Sequence, residues 1–365
     1  MSLKCGIVGL PNAGKSTIFN ALTDSSQAET GNYPFCTIDA NKGQALVPDD
    51  RLKKISQIIK SKKTIPTSFE FADIAGLVKG ASQGEGLGNQ FLSHIRSVDS
   101  LIHLVRAFKD SQITHVYGAP DPLRDIEIIN TELLLSDLEI ADKRLKKIQK
   151  TAQSAGDKAL KQEMEILQKA IRFLSENKNL RELEWSKEEL FALKPFNFIS
   201  LKPALHVFNF KEEDFANKKT DLSVVKQSLG ENEDIIAISC ALEADMIGWS
   251  DLEKTEFLKP LGLKEPVLHT VIKKVYKQLN LISFFTAGEK ESRAWTVQKE
   301  SLAPTAGGVI HSDFEKGFIR AEVYNYEELL EHQSEKTLKQ KGLVKVVGKD
   351  YVVQAGDIMH FLFNL

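Results

Sequence analysis

The sequence predicts an α/β fold built on a mainly parallel sheet, and three features of the chain lead to this prediction. Short apolar runs typical of buried strands alternate with helical patterns, first at residues 5–8 and again at 204–208. Residues 132–200 break this alternation with two helical repeats. Residues 281–365 return to strand-like runs, with one helix expected to begin near Pro304. We therefore expect an α/β domain, a helical insertion and a small α+β domain.

Each strand is assigned from a short apolar run. In the first region the predicted strands are residues 5–8, 68–72, 101–105, 204–208 and 235–238; in the last region they are 294–297, 318–323, 351–353 and 359–363. Strands that alternate with helices join through crossover connections, which favours parallel neighbours. The first region should therefore form a largely parallel sheet.

Two heptad patterns in residues 132–200 predict an antiparallel coiled-coil hairpin inserted into the α/β domain. The apolar positions are Leu134, Leu138, Ala141, Leu145, Ile148 and Ala152 in the first helix, and Leu160, Met164, Leu167, Ile171 and Leu174 in the second. Their alternating spacing of three and four residues is typical of a seam between paired helices. A short turn near residues 154–157 makes the pairing antiparallel.

Composition excludes several classes of protein. The 365 residues carry a formal net charge of -2, so no global basic field would draw the chain to nucleic acid. The three cysteines lie far apart, which fits neither a disulfide framework nor a zinc site and favours reduced thiols in a cytosol. We expect no signal peptide and no membrane span, because no apolar run approaches the ~20 residues that a spanning helix needs.

The clearest motif is Gly9-x-x-x-x-Gly14-Lys15-Ser16, which matches the phosphate-binding P-loop. It follows a predicted strand and precedes a helical pattern, which is the context that the motif requires. Lys15 should reach the β- and γ-phosphates, where it is also a candidate catalytic group, and Ser16 should ligate Mg²⁺. The residues expected to hold the phosphates are Asn12, Ala13, Gly14, Lys15, Ser16 and Thr17. The motif predicts a nucleoside triphosphatase.

Two further segments predict metal and γ-phosphate contacts. Asp73 ends a predicted strand, where its carboxylate can hold Mg²⁺ through water, and Gly76 lets a main-chain amide approach the γ-phosphate. Thr37 is the candidate switch threonine that closes over Mg²⁺. The predicted metal ligands are therefore Ser16, Thr37 and Asp73.

The base-binding segment departs from the pattern that reads guanine. GTPases place Asn-Lys-x-Asp after the strand that corresponds to residues 204–208, whereas this chain has Asn209, Phe210, Lys211 and Glu212. The longer carboxylate should break the guanine contact, while Asn209 can still bond a base edge, including adenine N6 and N7. A surface loop without a base-reading role is the alternative. A second base loop is predicted at Ser239, Cys240 and Ala241.

These motifs together resemble those of the YchF/Obg-like ATPases, a branch of the Obg-related P-loop translation factors. The strings that carry the resemblance over essentially the whole chain are residues 6–17, 32–38, 73–81, 84–89, 293–296, 311–319 and 361–364. The resemblance implies a C-terminal TGS domain of ubiquitin-like β-grasp fold, a preference for ATP over GTP, and association with ribosomes in the cytoplasm. It also places Asn209, Phe210 and Phe108 beside the base. The domains are then 1–131 with 201–280 for the nucleotide, 132–200 for the coiled coil and 281–365 for the TGS domain.

The group that activates water is harder to predict. Ras-type GTPases orient water with a Gln, but Leu77 occupies that position and cannot form a hydrogen bond through its side chain. The resemblance assigns the role to His115, whose neutral imidazole can orient water near pH 7; an exposed loop histidine is the alternative, and His94 is a second candidate. Asn12 is a candidate K⁺ ligand, or only a turn residue. Slow intrinsic turnover is expected.

The expected partner is the ribosome, as the large subunit or the assembled particle. Residues 143–150 carry five basic side chains among eight residues, which indicates either a solvated helix face or contact with ribosomal RNA. We expect a monomer. Two alternatives to a ribosome-associated ATPase stay open: a GTP-hydrolysing translation factor, and a nucleotide-switched ribosome-binding protein whose turnover is incidental.

Overall fold

The computed structural model describes residues 3–27, 42–74, 87–154, 157–230 and 233–364. The chain divides into two compact units. The first contains Met1–Gln44 and Glu70–Val267, and the second contains Ala45–Phe69 and Leu268–Leu365.

The strands and helices below are numbered in chain order within the described residues. The strands are β1 (Lys4–Val8), β2 (Lys42–Leu46), β3 (Thr64–Ile65), β4 (Ser68–Asp73), β5 (Ser100–Arg106), β6 (Ala204–Asn209), β7 (Asp234–Ile238), β8 (Leu281–Ala287), β9 (Ser292–Gln298), β10 (Phe318–Asn325), β11 (Lys345–Val347) and β12 (Asp357–Phe363). The helices are α1 (Lys15–Gln27), α2 (Asp50–Ile59), α3 (Leu87–Arg96), α4 (Pro122–Ser154), α5 (Lys158–Ser175), α6 (Lys187–Leu193), α7 (Glu212–Ala216), α8 (Ser223–Leu229), α9 (Cys240–Asp245), α10 (Asp251–Leu258), α11 (Val267–Gln278), α12 (Ala303–Ile310), α13 (Ser312–Lys316), α14 (Tyr326–His332) and α15 (Glu335–Gln340).

The first sheet has the strand order β2-β4-β1-β5-β6-β7. From β4 to β7 every pairing is parallel, with Cys5 opposite both Phe71 and Ser100. Every residue of β5 and β6 is buried, because parallel strands joined by helical crossovers are covered on both faces. The parallel arrangement brings the carboxyl ends of these strands to one edge, which confirms the α/β prediction.

An antiparallel helical hairpin is inserted between β5 and β6. Helix α4 has 33 residues, about 50 Å at 1.5 Å per residue, and begins at Pro122 rather than near residue 132 as predicted. Most of the predicted seam is confirmed, since Leu134, Ala141, Ile148 and Leu167 are buried in one cluster, whereas Leu145 is only half-buried. Asp157 starts α5 by accepting a hydrogen bond from the Ala159 amide at 2.8 Å.

Length alone does not make α4 a membrane helix. It is long enough to cross a bilayer, but charged residues occur throughout its sequence. Within the described parts of the chain, no helix combines the length and the apolar character that a membrane span requires.

The second unit is built on a mixed sheet with the order β11-β10-β12-β8-β9-β3. Neighbouring residues Phe284 and Phe285 of β8 point to opposite faces, and each belongs to a separate core cluster. On the Phe285 face, Leu52 and Ile55 of α2 complete the core. The opposite face is covered by the helix predicted near Pro304, which the structure shows as α12.

The compact units differ from the predicted domain boundaries. Residues 45–69, predicted to belong to the nucleotide-binding domain, group with the C-terminal unit, and the boundary after Val267 precedes the predicted one at 280. The apolar face of α2 packs on the second sheet, and β3 pairs with β9. A domain assignment that follows chain order misses a segment whose contacts lie more than 200 residues away, as Ser61 and Ser292 show.

Eight of the nine predicted strands coincide with strands of the structure, and four observed strands were missed. The predicted strand at 351–353 is wrong: only Val352 forms an isolated bridge, to Leu302. Strands β2, β3, β8 and β11 were not predicted. Three of these have five residues or fewer, so they carry little periodic signal.

Candidate nucleotide-binding site

The segment between β1 and α1 curls into a loop at the carboxyl edge of the first sheet. Asn12 and Gly14 have positive φ angles of 62° and 102°, and the Ala13 amide donates to the Leu10 carbonyl at 3.3 Å. A side chain at Gly9 would come within 2.4 Å of the Leu104 carbonyl oxygen, so the loop passes close to β5. The loop ends at the amino terminus of α1, where free amide groups and the helix dipole favour an anion.

Lys15 supplies the positive charge of this loop. Its Nζ donates to the Leu10 carbonyl at 3.0 Å, and the residue is 9% exposed. Burial lowers the pKa of Lys15, while the nearby Asp73 carboxylate opposes that shift. A phosphate group placed here would satisfy a partly desolvated ammonium.

Ser16 and Asp73 present oxygen atoms beside the loop. The Ser16 Oγ donates to Asp73 Oδ2 at 3.1 Å. The second oxygen, Oδ1, is buried and has no hydrogen-bond partner among the described residues. Hydroxyl and carboxylate oxygens are the ligands that Mg²⁺ prefers, so these two residues fit a magnesium site. The other predicted contacts, Thr37 and Gly76, lie outside the described residues.

A cavity of about 570 Å³ opens next to the loop, within the range of roughly 300–1,000 Å³ usual for small-molecule sites. Its lining residues are Asn12, Gly14, Lys15, Ser16, Thr17, Phe108, Asp110, Ile113, Asn209, Phe210, Lys211, Glu212, Cys240 and Ala241. Of the predicted nucleotide contacts that the structure describes, all line this cavity except Ala13 and Ser239, which are buried behind it.

Asn209 connects three loops around the cavity. Its Nδ2 donates to the Ala13 carbonyl at 2.9 Å, and its Oδ1 accepts from the Cys240 amide at 3.0 Å. A side chain at Gly14 would come within 2.7 Å of the same Nδ2. Both polar atoms of the side-chain amide predicted to contact the base are thus engaged in holding the P-loop against the loop that begins α9.

Asn12 also makes a contact that the sequence did not predict. Its Nδ2 donates to the Thr114 carbonyl at 3.0 Å, so its side chain ties the P-loop to the segment after β5. The K⁺ role of Asn12 stays a prediction, and it would use the amide oxygen.

His115 is buried outside the cavity lining. Its Nε2 lies 2.9 Å from Asp125 Oδ2, and its Nδ1 accepts from the Tyr117 amide at 3.2 Å. Because Nδ1 accepts, the ring proton lies on Nε2 and is donated to Asp125. Both nitrogens are occupied, so in this arrangement His115 cannot orient water. The other candidate, His94, is exposed in the last turn of α3.

Comparison with known proteins identifies the family to which these motifs belong. A ribosome-binding ATPase YchF of Bacillus subtilis is 48% identical over 368 residues, and one of Escherichia coli O157:H7 is 47% identical over 365, each alignment covering 100% of both chains. The YchF-GTPase_C family model, described as a protein of unknown function, matches residues 281–364, and a model described as a 50S ribosome-binding GTPase matches residues 4–153.

The chain belongs to the YchF family. The solved structure of the Schizosaccharomyces pombe YchF GTPase is 38% identical and superposes with a TM-score of 0.90, covering 99% of this chain and 98% of that one. A GTP-binding protein from Pyrococcus horikoshii OT3, 20% identical with a TM-score of 0.58, shares the fold. The fold predicted from the resemblance, a P-loop domain followed by a YchF-type C-terminal domain, is confirmed.

Four cavity residues of this YchF family member were not predicted as nucleotide contacts: Asp110, Ile113, Lys211 and Glu212. All four follow the carboxyl end of β5 or β6, the edge at which parallel α/β sheets bind ligands. That position was the signal available in the sequence. Lys211 and Glu212 also stand in the segment that corresponds to Asn-Lys-x-Asp, whereas no motif marks Asp110 and Ile113, because their place depends on how the loop folds over the end of β5.

Proposed function

We propose that this YchF family member binds ATP in preference to GTP and hydrolyses it slowly with Mg²⁺. The observation that carries the proposal is the arrangement beside the P-loop: Lys15 and Ser16 line the cavity, and Ser16 bonds Asp73, whose second carboxylate oxygen is buried and has no hydrogen-bond partner among the described residues. The amide groups of the loop and of α1 would hold the triphosphate. The names of the relatives, which call them ATPases, support the same activity.

Ser16 and Asp73 would hold Mg²⁺, together with Thr37 from the segment outside the described residues. When bound there, the ion would neutralise charge that develops on the phosphate oxygens. Lys15 would place its ammonium on the β- and γ-phosphates after leaving the Leu10 carbonyl. Burial of this charge makes its attraction for phosphate stronger than it would be in water.

The preference for ATP is proposed from the residues around the base. Phe108 and Phe210 are half-buried aromatic side chains that line the cavity, and Phe210 stands where GTPases carry Lys. Asn209 is engaged with Ala13 and Cys240, so its amide serves mainly to hold the loops. Base contacts then fall to the aromatic rings and to groups such as Asp110 and Glu212.

For the water-activating group we retain His115 as a proposal. Its present contacts require that it leave Asp125 and Tyr117 before it can meet a water at the γ-phosphate. This requirement agrees with slow intrinsic turnover, which a partner could accelerate by releasing the histidine.

The proposed partner is the ribosome, and the proposed location is the cytoplasm. Relatives are named ribosome-binding, and the family model over residues 4–153 is described as 50S ribosome-binding. We propose that the nucleotide state controls this binding. A second candidate function is a nucleotide-switched ribosome-binding protein whose turnover is incidental. The contact of His115 with Asp125 favours it, because this contact keeps the histidine from activating water.

Isothermal titration with ATP and with GTP, each with and without ribosomes, tests the proposal. We expect tighter binding of ATP and turnover that rises when ribosomes are present. Lys15→Ala should weaken ATP binding by about tenfold or more, since it removes a charge-assisted phosphate contact. Tighter binding of GTP than ATP would contradict the substrate preference. Unchanged hydrolysis in the presence of ribosomes, with intact nucleotide-dependent ribosome binding, would favour the switch function.

A further inference from the structure

Arg106 is the last residue of β5, and its side chain is one of the most deeply buried in the protein. The residue is 2% exposed, although its charge cannot be neutralised at physiological pH. A buried charge is tolerated only when its polar atoms are fully hydrogen-bonded. The partners of this guanidinium therefore indicate why an arginine occupies this position.

Among the described residues, its hydrogen-bond acceptors are all main-chain carbonyls of the segment that follows β5. Nε donates to Phe108 at 3.2 Å; Nη1 donates to Ile113 at 3.1 Å and to Thr114 at 3.4 Å; and Nη2 donates to Asp110 at 3.3 Å and to Ile113 at 3.1 Å. These five contacts match the five N–H groups of the guanidinium. The group also lies over the Phe108 ring, 4.5 Å from its centroid.

The segment that Arg106 holds forms one wall of the cavity. Phe108, Asp110 and Ile113 line the cavity, and the Thr114 carbonyl accepts the Asn12 side chain from the P-loop. The wall is a turn-rich segment without strand pairing, so these side-chain contacts fix its path. One guanidinium thus sets the position of the wall relative to the loop that holds the phosphates.

We propose that Arg106 is a positioning residue that shapes the base-binding wall of the nucleotide site, so that it governs recognition of the base rather than of the triphosphate. This inference rests on the proposed nucleotide binding. In the proposed binding mode the phosphates would meet the P-loop and α1, to which Arg106 donates no hydrogen bond, whereas the base would meet the wall formed by Phe108, Asp110 and Ile113. Loss of the guanidinium should therefore weaken binding of the base while leaving binding of the triphosphate almost unchanged.

The test is Arg106→Lys, which keeps the charge but replaces a planar five-donor fork with one ammonium. Its affinity for Mg²⁺-ATP and for Mg²⁺-tripolyphosphate, which has no base, would be measured by titration. We expect the Kd for ATP to rise about tenfold or more, a change that corresponds to the loss of one to two good contacts, while the Kd for tripolyphosphate stays within about twofold. Arg144→Lys is the matched control, because Arg144 also makes a bidentate contact but does so on the helical hairpin.

Hydrogen exchange on the wild-type protein gives an independent measurement. ATP should protect the amides of residues 108–114 and tripolyphosphate should not. If Arg106→Lys weakens the affinity for ATP and for tripolyphosphate equally, the residue supports the whole fold. If its affinity for ATP is unchanged, the wall does not need Arg106. Either result overturns the inference. If wild-type protein binds tripolyphosphate but not ATP, or neither ligand, the proposed function itself fails.

Discussion

At the scale of single residues, the contact between His115 and Asp125 determines whether the His115 ring can bind a water molecule. Both side chains are at most 5% exposed, and Arg124 bonds the other Asp125 oxygen at 2.9 Å, which orients the carboxylate. A hydrogen bond to a carboxylate is roughly twice as strong as a neutral one. With the Tyr117 amide on its other nitrogen, the histidine has no free atom for a water.

If His115 activates water once released, Asp125→Asn should accelerate hydrolysis. The substitution replaces the charge-assisted hydrogen bond with a weaker neutral one, so we expect basal phosphate release to rise roughly threefold to tenfold. Asp121→Asn is the control, since the Asp121 carboxylate accepts from the Arg124 amide and not from His115. A rise that persists in an Asp125→Asn/His115→Ala double variant would show that the effect does not involve His115.

The phosphate end of the site was predictable from sequence, and the base end was predictable only in outline. Gly14, Lys15 and Ser16 belong to one contiguous motif whose spacing encodes its geometry. Arg106 and its carbonyl partners form no motif, because main-chain acceptors exist at every position. Such contacts become visible only when the path of the loop is known.

At the scale of elements, the helical hairpin depends on its apolar seam. Leu167 is fully buried in a cluster with Leu134 and Ala170, while Arg144 and Glu163 join the two helices at the surface by a bidentate contact of 2.6 and 2.9 Å. Half-exposed ion pairs contribute little, at most about 1 kcal/mol. The seam should therefore supply most of the stability of the hairpin.

Leu167→Ala should destabilise the hairpin by about 3 kcal/mol, because it removes buried methyl groups and leaves a cavity. Trp185 packs against the same cluster and can report local unfolding by fluorescence when Trp249 and Trp295 are replaced by Phe. Leu135→Ala, at a position that is 40% exposed on α4, should change stability by under about 1 kcal/mol. Similar losses from both variants would contradict the assigned seam.

Strands β5 and β6 carry a buried histidine pair that should make the first sheet sensitive to acid. His103 and His206 lie with ring centroids 5.3 Å apart, and His206 Nε2 lies 3.4 Å from a Glu233 oxygen. Burial lowers the pKa of His103 well below its ordinary value, and His206 and Arg181 lower it further. The folded protein therefore resists protonation of His103 that the unfolded chain accepts.

The free energy of unfolding should fall as pH drops below about 6.5, since the unfolded chain then binds a proton that the folded state excludes, with a slope of up to about 1.4 kcal/mol per pH unit for one histidine. His103→Gln should flatten this dependence in urea denaturation between pH 7.5 and 5.5. His94→Gln, at an exposed position, is the control. An unchanged slope in His103→Gln would remove His103 as the cause.

The elements predicted best from the sequence are those whose buried residues form a long, regular pattern along the chain. Strands β5 and β6 are apolar enough to be recognised alone, and the heptad seam is regular over several turns. Strand β3 has two residues and exists because β9 pairs with it. Its place depends on a long-range partner, which no local pattern contains.

At the scale of the whole molecule, the near-zero net charge hides a local basic surface. Lys143 pairs with Glu139 and Arg144 with Glu163, so two of the basic residues considered either as a solvated face or as a contact with ribosomal RNA are engaged within the hairpin. Lys146 and Lys147 are exposed on α4. If the hairpin meets ribosomal RNA, these two lysines are the best placed to contact phosphates.

Lys146→Ala/Lys147→Ala should weaken ribosome binding and lower the slope of log affinity against log salt by about 1 to 2, because each lost phosphate contact removes nearly one released counterion. Co-sedimentation at several salt concentrations would measure this slope. Lys336→Ala/Lys341→Ala, two exposed lysines of the second unit, is the control. An identical salt dependence in wild type and the hairpin variant would exclude these lysines from the contact.

Because residues 45–69 pack with the C-terminal sheet, they affect how an isolated C-terminal fragment of this protein would fold. A fragment that starts at residue 281, where homology to the YchF C-terminal family begins, would contain β8 to β12 without α2, β3 and α11. Phe285 and Ile358 would lose the cover of Leu52 and Ile55, and the bared apolar face should drive the isolated fragment to aggregate. Homology there marks a stretch of shared ancestry, not an autonomous folding unit, and a polypeptide meant to fold alone would also need residues 45–69 and 268–280, which belong to the same compact unit.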